Sequence, residues 1–379
     1  MNIGFDAKRA YHNQTGLGHY SRTLIQSLAN GFTQHQYYLF NPKPSLLFQF
    51  NNANIHEVLP GQFLHKTFSS LWRSQFVKSD IKRLNIDLYH GLSHEIPKGI
   101  DKLNVKSVVT IHDLIHERYP NQYPFVDRKI YTAKFTYACK TANHIIAISE
   151  QTKQDIIDYY KIPNHKITVC YQSCNSAFMQ KVSEQQQQTI KERYNLPDKY
   201  YLSVGSIIER KNLLIICKAI QLLKNEIPLV VIGNGGSYMQ MVKKYIAGNN
   251  LQHKIIFLSE HKNAQLTSFK SAADFPAIYQ LATAMIYPSS FEGFGIPVLE
   301  ALNSGLPVIT SNASCLPETG GNAALYVNPL NENELAEAMI VVAENHSLRA
   351  EMIEKGFAHA QNFTPEKCAA SVMSVYKKL

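Results

Sequence analysis

The sequence lacks several features that would place it in a particular class of protein. Its 379 residues contain no run of about 18 apolar residues, so no helix is predicted to span a membrane. The first residues, MNIGFDAKRAYHNQTG, lack the basic start, apolar stretch and small-residue cleavage site of a signal peptide. The six cysteines show no paired metal-ligand spacing, which favours reduced cysteines in a cytoplasmic protein.

Positive charge is unevenly distributed along the chain. The formal charge is +9, and residues 1–181 hold 21 lysines and arginines against 12 acidic residues, whereas the remainder holds 17 of each. A basic half can bind nucleic acid, an anionic membrane surface or an anionic substrate. The sequence has neither an arginine-dense helix nor zinc-finger spacing, which argues against nucleic acid. Two interpretations of the basic half remain open: it binds a membrane or an anionic acceptor, or it is only a solvated surface.

Short β-rich runs alternate with longer helical patterns in each half of the chain. This rhythm predicts an α/β fold with two doubly wound, Rossmann-like domains whose ligand-binding strand ends face a central cleft. The first half offers the strand candidates NIGFD, YYLFN, IDLYH, SVVTIHD, HIIAIS and KITVCY. The second half offers YYLSVG, PLVVIG, KIIFL, TAMIYPS, LPVITS and ALYV.

Domain boundaries follow from the polar stretch between the halves. The segment KVSEQQQQTIKERYNL starts as a linker and then predicts a helix of the second domain. We therefore expect an N-terminal domain at 1–181 and a C-terminal domain at 189–363. A last helix, 364–379, begins with Thr364 as a cap and Pro365 at its first position, and it is expected to pack back on the N-terminal domain.

Two motifs of the first half lie after predicted strands. Gly16 and Gly18 precede a helix expected to start near His19, and they would let the backbone approach a ligand. His112 ends the strand SVVTIHD, where it could hydrogen-bond or exchange protons near neutral pH. A glycine pair can also serve packing alone, and a histidine can simply satisfy neighbouring backbone.

Two motifs of the second half also follow strands. Arg210 and Lys211 come after YYLSVG, and adjacent cations there suit a pyrophosphate, although a surface Arg-Lys pair is commonly only solvated. The glycines of VVIGNGGS give G-x-G-G rather than G-x-G-x-x-G, with no acidic residue at the expected distance. A nicotinamide cofactor is therefore not expected.

The stretch YPSSFEGFGIPVLEALNSG combines several candidate ligand-binding features within a short length of chain. Its glycines allow close backbone approach, Pro297 suits a first helical position, and Gly305 suits the helix end. The amides of 295–299 are expected to be unpaired donors at a helix N-terminus, which form an anion site for a phosphate. Glu292 and Glu300 flank that site, and carboxylates accept hydrogen bonds from sugar hydroxyls.

These motifs together resemble glycosyltransferase family 4, the retaining GT-B enzymes that use nucleotide-diphosphate sugars. The resemblance rests on EGFGIPVLE, VGSIIERKNL and GLPVITSNASCLPETGGNAALYVNPLNENELAEAM, with GLGHYSRTL, VVTIHDLIHERYP and ISEQTKQDIIDYYKIP in the first half. It covers essentially the whole chain. The sequence is most similar to the bacterial mannosyltransferase-like branch that builds O-antigen, capsule or exopolysaccharide.

The resemblance implies a role for each matching position. Glu300 would hold the ribose, Glu292 would contact the transferred sugar, and His112 would lie beside the reacting carbon. Arg210 and Lys211 would stabilise the departing diphosphate, and some of its charge falls to them because this chain has Ser206 where family members often carry an arginine. Backbone around the donor would come from Gly16, Gly18, Gly293, Phe294, Gly295, Ile296, Val298 and Leu299.

The implied reaction transfers a hexose, mannose in the first instance, from a GDP- or UDP-linked sugar to a saccharide or polyprenyl-linked saccharide. The sequence has no Asp-x-Asp motif, so neither a metal nor a cofactor is expected. Peripheral contact with the inner membrane face is a further expectation from the basic half. A catalytically silent sugar-nucleotide-binding partner and a GT-B-shaped epimerase are the alternatives.

Overall fold

The structure, a computed structural model, describes residues 1–14, 16–45 and 48–379. The described chain divides into two compact units, Met1–Ser173 with Phe363–Leu379, and Cys174–Asn362. Each unit is built on one parallel sheet with helices between its strands, which confirms the predicted α/β class of two Rossmann-like domains.

The first unit holds a seven-stranded sheet in the order β3-β2-β1-β4-β5-β6-β7 within the described residues. Six of these strands coincide with the predicted ones, whereas β3 was missed because its sequence, IHEV, mixes apolar and polar residues at the sheet edge. The strands are β1 Asn2–Asp6, β2 Gln36–Phe40, β3 Ile55–Val58, β4 Leu88–Gly91, β5 Lys106–Ile111, β6 His144–Ala147 and β7 Ile167–Val169.

Helices cover both faces of this first sheet. One face packs on a core that includes Val372 and Tyr376 of the last helix, and the other on a core that includes the buried Trp72. The helices are α1 Lys8–His12, α2 Gly16–Gly31, α3 Phe63–Thr67, α4 Ser69–Leu71, α5 Val77–Arg83, α6 Ile115–Arg118, α7 Phe125–Thr141, α8 Glu150–Tyr160 and, at the end of the chain, α18 Pro365–Lys377.

Capping of α18 follows the predicted signals. The hydroxyl of Thr364 accepts a hydrogen bond from the Lys367 amide at 3.3 Å, and Pro365 is the first helical residue. The apolar face of α18 packs against α2 of the same unit, so it forms part of the core rather than a free tail.

The second unit holds a six-stranded sheet in the order β10-β9-β8-β11-β12-β13. All six strands coincide with predicted ones, and every described pairing is parallel. The strands are β8 Tyr201–Val204, β9 Leu229–Ile232, β10 Ile255–Phe257, β11 Ala284–Tyr287, β12 Val308–Ser311 and β13 Ala324–Val327.

Helices of the second unit begin with the predicted glutamine-rich one, which Ser183 caps. The sequence NENELAEAMIVVAENHSLRAEMIEKGFAHAQNF has one continuous helical pattern, but it forms two helices, because Asn345 ends the first and caps the second. The helices are α9 Glu184–Tyr194, α10 Leu213–Leu222, α11 Ser237–Gly248, α12 Thr267–Lys270, α13 Phe275–Leu281, α14 Ile296–Asn303, α15 Leu316–Gly320, α16 Glu332–Glu344 and α17 His346–Ala360.

The glycines of VVIGNGG serve backbone packing. The loop after β9 lies against the loop after β8, where the Ile207 amide donates to the Asn234 carbonyl at 2.8 Å. A Cβ at Gly233 would lie 1.9 Å from the Gly205 carbonyl oxygen, and one at Gly235 would lie 2.1 Å from that of Ile207. Close approach of two loops therefore accounts for Gly233 and Gly235 without a dinucleotide, whereas a Cβ at Gly236 would meet nothing within 4 Å.

Replacement of Gly235 by alanine should destabilise the second unit, because the added Cβ overlaps the Ile207 carbonyl. Relief of such overpacking costs about 1–3 kcal/mol. Urea unfolding followed by circular dichroism measures the effect. Gly248→Ala is the matched control, since a Cβ there meets no atom within 4 Å. Equal unfolding midpoints for the two variants would contradict the described loop packing.

Candidate active site

The predicted cations, Arg210 and Lys211, meet Glu292 at the point where the strand order of the second sheet reverses. From β8 the chain continues to β9 and β10 on one side, whereas β11 leads to β12 and β13 on the other. The carboxyl ends of the two strands at such a switch point form the usual ligand-binding crevice of a doubly wound sheet. Arg210 and Lys211 lie in a 3₁₀ turn after β8, and Glu292 lies in the loop after β11.

The Glu292 carboxylate is buried between the two cations. Its Oε2 lies 2.9 Å from Arg210 Nη1, and its Oε1 lies 2.9 Å from Lys211 Nζ. The Tyr287 hydroxyl donates to Oε1 at 2.8 Å. Burial would raise the pKa of Glu292, but the charges of Lys211 and Arg210 and these hydrogen bonds lower it to about 2. The cluster therefore holds one carboxylate against two cations at neutral pH.

Lys211 is the more accessible of the two cations. Its side chain is 18% exposed, against 9% for Arg210, whose guanidinium also donates to the Phe291 carbonyl. The Lys211 ammonium donates to the Tyr287 hydroxyl at 2.5 Å and lies 4.9 Å from the centre of that ring. Gly205, at φ +140°, leaves room for the Lys211 chain, because a Cβ there would lie 3.0 Å from its Cδ.

The start of α14 differs in detail from its prediction. The first helical residue is Ile296, so Pro297 occupies the second position rather than the first. The amides of Val298 and Leu299 donate to the Gly295 carbonyl at 2.9 and 3.4 Å. The prediction that all amides of 295–299 are unpaired is therefore wrong for those two, because the first turn closes on Gly295.

Gly295 itself is required by the backbone. It caps α14 at φ +97°, and a Cβ would lie 2.8 Å from Leu316 Cδ2. The helix nevertheless ends as predicted, since α14 stops at Asn303 and Gly305 follows at φ +67°. Before this cap, Phe294 is buried with its carbonyl bonded by the Thr319 hydroxyl.

Glu300 lies about one turn inside α14 and is hydrogen-bonded to α13. The Tyr279 hydroxyl donates to Glu300 Oε2 at 2.9 Å. Desolvation raises the pKa of Glu300 to about 7, and the Tyr279 hydrogen bond and the charge of Lys211 oppose that rise only in part. The two glutamates of the motif are thus held in opposite ways, one ionised by cations and the other close to half protonated at neutral pH.

Four supporting residues of this site were not singled out from the sequence. Tyr287 links Lys211 to Glu292, and Tyr279 holds Glu300. The Glu292 backbone is fixed on both sides: its amide donates to Ser314 Oγ at 3.0 Å, and Cys315 Sγ donates to its carbonyl at 3.1 Å. Only Tyr287, at the end of a predicted strand, carried a sequence signal.

The other residues that were predicted to bind the sugar donor lie around this cluster. Ser206 is exposed directly after β8 and Gly205, and its carbonyl accepts from the Ile208 amide at 3.0 Å. Gly293 is half-buried directly after Glu292. The structure thus brings Ser206, Arg210, Lys211, Gly293 and the start of α14 to the same end of the second sheet.

His112 belongs to the first unit, where it follows β5. Its Nε2 donates to the Leu92 carbonyl at 2.9 Å, and its ring packs edge-on against Tyr20 and His94. Burial and the neighbouring His94 lower the pKa of His112 to about 3. The imidazole is therefore neutral at pH 7 and donates a hydrogen bond in that state, while its role beside the reacting carbon stays a prediction.

Gly16 and Gly18 also belong to the first unit, in the first turn of α2. The helix begins at Gly16 rather than near His19. A Cβ at Gly18 would lie 1.9 Å from the Asn13 carbonyl oxygen, whereas one at Gly16 would meet nothing within 4 Å. Packing alone thus requires glycine at 18 but not at 16.

Metal-binding clusters and membrane-spanning helices are both missing from the described part of the chain. Among the described residues, no group of three or more His, Cys, Asp or Glu side chains could hold a metal ion. Within the same residues, no helix combines the length and the hydropathy needed to cross a bilayer.

Comparison with known proteins identifies the family. The sequence profile described as Glycosyltransferase Family 4 matches 15–176, and the profile described as Glycosyl transferases group 1 matches 184–359. The chain belongs to glycosyltransferase family 4. Glu292, Arg210 and Lys211 all lie in the second match, and His112 lies in the first.

Curated relatives of this family 4 glycosyltransferase include two O-antigen enzymes. The chain is 27% identical over 298 residues to O-antigen chain mannosyltransferase B of Escherichia coli, with 77% of this chain and 74% of that protein covered. It is 30% identical over 260 residues to O-antigen chain mannosyltransferase RfbU of Salmonella typhimurium. The latter match spans 68% of this chain and 65% of that protein, just under two thirds of its length.

Solved structures confirm the GT-B fold of the glycosyltransferase. Sucrose-phosphate synthase of Thermosynechococcus elongatus superposes with a TM-score of 0.78 at 17% identity, covering 100% of this chain and 98% of that one. HepE of Anabaena in complex with UDP-glucose superposes with a TM-score of 0.72 at 15% identity, covering 100% of both chains.

Glu292→Gln should destabilise the glycosyltransferase at neutral pH, because the buried Arg210 and the partly buried Lys211 then lose their carboxylate. Removal of one partner from a buried ion pair costs about 3–5 kcal/mol. The wild-type contribution is present above pH 4.5 and is lost as pH falls toward 2, so the difference between the proteins should shrink in acid. Urea unfolding at pH 7.5 and pH 3 measures it, with the exposed, neighbouring Glu209→Gln as control. A Glu292→Gln midpoint equal to that of the control at pH 7.5 would rule out the cluster.

Glu300→Gln should raise the stability of the glycosyltransferase above neutral pH, whereas Glu292→Gln lowers it. Because the folded pKa is raised to about 7, the wild type loses stability as pH rises from 4.5 to 7. Glutamine does not ionise, so the Glu300→Gln variant does not lose this stability. It should match the wild type at pH 5 and exceed its Tm at pH 8. Thermal unfolding at both pH values tests this, again beside Glu209→Gln. A variant less stable than the wild type at pH 8 would show that the carboxylate is not desolvated.

Proposed function

We propose that this glycosyltransferase moves a hexose, with mannose as the expected sugar, from a GDP- or UDP-linked donor to a saccharide or lipid-linked saccharide in cell-surface polysaccharide synthesis. The names of its O-antigen relatives support the sugar and the pathway. The binding of UDP-glucose by HepE, which shares the fold, supports a nucleotide-diphosphate sugar as donor. The observation that carries the proposal is the Arg210–Glu292–Lys211 cluster at the ends of β8 and β11.

In this proposal the cluster receives the donor diphosphate. Its two cations exceed its one carboxylate, so it attracts an anion, and Lys211 is the cation with more solvent access. Glu300 accepts hydrogen bonds from the ribose, and the Glu292 loop contacts the sugar. Because these charges are fixed by protein contacts before the donor arrives, they stabilise the leaving group without reorganisation.

The proposed chemistry is front-face substitution with retention. The bond from sugar C1 to the diphosphate oxygen breaks, and its electron pair stays on the phosphate. The acceptor hydroxyl oxygen bonds to C1 on the same face, and its proton passes to the departing phosphate. Neutral His112 contributes hydrogen bonding rather than a proton. Protein cations perform the charge stabilisation here, so neither a metal nor a further cofactor is required, and transfer should persist in EDTA.

Acceptors linked to polyprenyl diphosphate at the inner membrane face are the expected second substrate. Support comes from the charge distribution, since the whole excess of +9 lies in residues 1–181. Peripheral rather than integral association fits this arrangement.

A donor screen tests the proposal directly. Among GDP-mannose, UDP-glucose and UDP-galactose, the true donor should raise Tm most, by mass action on the folded state. Lys211→Ala and Glu300→Ala should each lower transfer from that donor by at least about 100-fold. Lys199→Ala, an exposed lysine of the same unit, is the control.

Each alternative outcome is distinct. Stabilisation by a donor without transfer would point to a silent binding partner. Unchanged turnover in both site variants would overturn the assigned roles. Because Lys211→Ala also removes an ion pair, Lys211→Arg checks folding: it should retain the wild-type Tm while transfer falls. An inverted product anomer, measured by nuclear magnetic resonance, would contradict front-face attack.

A further inference from the structure

The Lys211 ammonium keeps one N–H available for a ligand. A protonated lysine carries three N–H donors. One donates to Glu292 Oε1 at 2.9 Å, and a second donates to the Tyr287 hydroxyl at 2.5 Å. Among the residues that the structure describes, no third acceptor meets this ammonium, and the side chain is 18% exposed. The remaining N–H is therefore the part of Lys211 that can meet a diphosphate oxygen.

The Tyr287 hydroxyl takes the role of acceptor toward Lys211. It has a single proton, which it donates to Glu292 Oε1 at 2.8 Å. Burial, followed by the charge of Glu292, raises the pKa of Tyr287 well above its ordinary value, so the hydroxyl stays protonated at neutral pH. The lysine, the tyrosine and the carboxylate thus close a triangle in which each shared hydrogen has a defined acceptor.

Tyr287 is the rigid member of this triangle. It is 3% exposed and ends β11, which lies between β8 and β12 in the second sheet. Its carbonyl accepts from the Thr310 hydroxyl of β12 at 2.8 Å. A buried tyrosine has few side-chain torsions to fix, whereas the long lysine chain loses more conformational entropy when it is held. The tyrosine therefore holds the lysine rather than the reverse.

The backbone of Lys211 is fixed independently of Tyr287. Before it, the Arg210 carbonyl accepts from the Ser290 amide at 2.8 Å. After it, the Asn212 side chain donates to two backbone carbonyls of other loops, at 3.2 and 2.6 Å. Because none of these contacts involves the Lys211 side chain, loss of the Tyr287 hydroxyl would free the ammonium and leave the turn in place.

Glu292 alone does not orient the ammonium. One hydrogen bond restrains the distance of Nζ from a single oxygen, whereas a second bond in another direction also restrains where the third N–H points. The Tyr287 ring contributes a separate contact, since its centre lies 4.9 Å from Lys211 Nζ. Phenylalanine at this position would keep the ring and remove only the hydroxyl, so it isolates the orienting hydrogen bond.

We propose that Tyr287 is a positioning residue for the transfer reaction, which directs the free N–H of Lys211 toward the departing diphosphate. This role rests on the proposed function and adds a residue that does not itself touch the donor. Negative charge on the diphosphate oxygen grows as its bond to the sugar breaks, so the direction of a nearby cation matters more in the transition state than in the bound donor. Loss of the hydroxyl should therefore lower kcat more than it weakens donor binding.

Tyr287→Phe tests this role in the full chain. The donor is whichever of GDP-mannose, UDP-glucose and UDP-galactose raises Tm most, and kcat is measured as release of its nucleoside diphosphate. We expect kcat to fall about tenfold or more and KM for the donor to change by less than about threefold.

The matched control is Tyr201→Phe. It removes another buried tyrosine hydroxyl of the same unit, one that donates to the Met339 carbonyl at 3.0 Å away from the site. Both variants lose a buried hydrogen bond, so both should unfold at a lower Tm than the wild type while remaining folded at the assay temperature. Tyr201→Phe should nevertheless keep kcat within about twofold of the wild type.

A double-mutant cycle separates positioning from a general structural role. Because Tyr287 acts through the lysine ammonium, Tyr287→Phe should change kcat by less than about twofold when Lys211 is already alanine. A hydroxyl that only supports the fold would lower kcat by the same factor in both backgrounds, and that outcome would overturn the positioning role.

Nuclear magnetic resonance gives a readout that needs no turnover. Since two acceptors hold the Lys211 ammonium, it should give a resolved proton–nitrogen correlation signal in the wild type without donor, and Lys211→Ala identifies this signal by its loss. Tyr287→Phe should broaden it beyond detection, whereas Tyr201→Phe should leave it unchanged. A wild type without the signal, or a Tyr287→Phe variant that keeps it, would overturn the hold of Tyr287 on Lys211.

Failure of the proposed function would look different. A wild type that releases no nucleoside diphosphate from any of the three sugars would refute the proposed function, while the ammonium signal would still report whether Tyr287 holds Lys211. A wild type that turns over its donor, beside a Tyr287→Phe variant whose kcat stays within about twofold, would refute the positioning role and leave the proposed function in place.

Discussion

The contact of Glu292 with Arg210 and Lys211 is the interaction on which the site depends. It joins the loops after two neighbouring strands, β8 and β11, at the point where the strand order of the sheet reverses. A carboxylate buried without partners would be protonated, and the two adjacent cations without it would repel each other. Together they fix both loops, and the glycine-rich turn that leads into α14 starts from this fixed point.

The same motif sets its two glutamates in opposite electrostatic states. Glu292 is held ionised by cations, whereas Glu300 is desolvated and meets only the Tyr279 hydroxyl among the described hydrogen-bond donors. Eight positions separate them, yet the first belongs to a loop and the second to a helix. Sequence spacing therefore says where two carboxylates lie along the chain, and the neighbours that each one meets decide its protonation.

Much of the fold could be predicted from the sequence because strand and helix periods are local signals. The edge strand β3 was missed, since IHEV has no clear alternation, and the break at Asn345 was hidden in a continuous helical pattern. The family resemblance and the strand ends placed Arg210 and Glu292, 82 positions later, at one donor site, but they did not predict the ion pair between them. Tyr279, Ser314 and the neutral state of His112 could not be predicted, because they depend on packing between distant segments.

The place of α18 has a consequence for biosynthesis. Val372, Met373 and Tyr376 complete a core whose other members come from the first part of the chain. That core therefore cannot close until α18 has left the ribosome. The second unit, Cys174–Asn362, is continuous in sequence and can fold earlier. Translation thus lets the second unit fold before the first unit, which precedes it in sequence, is finished.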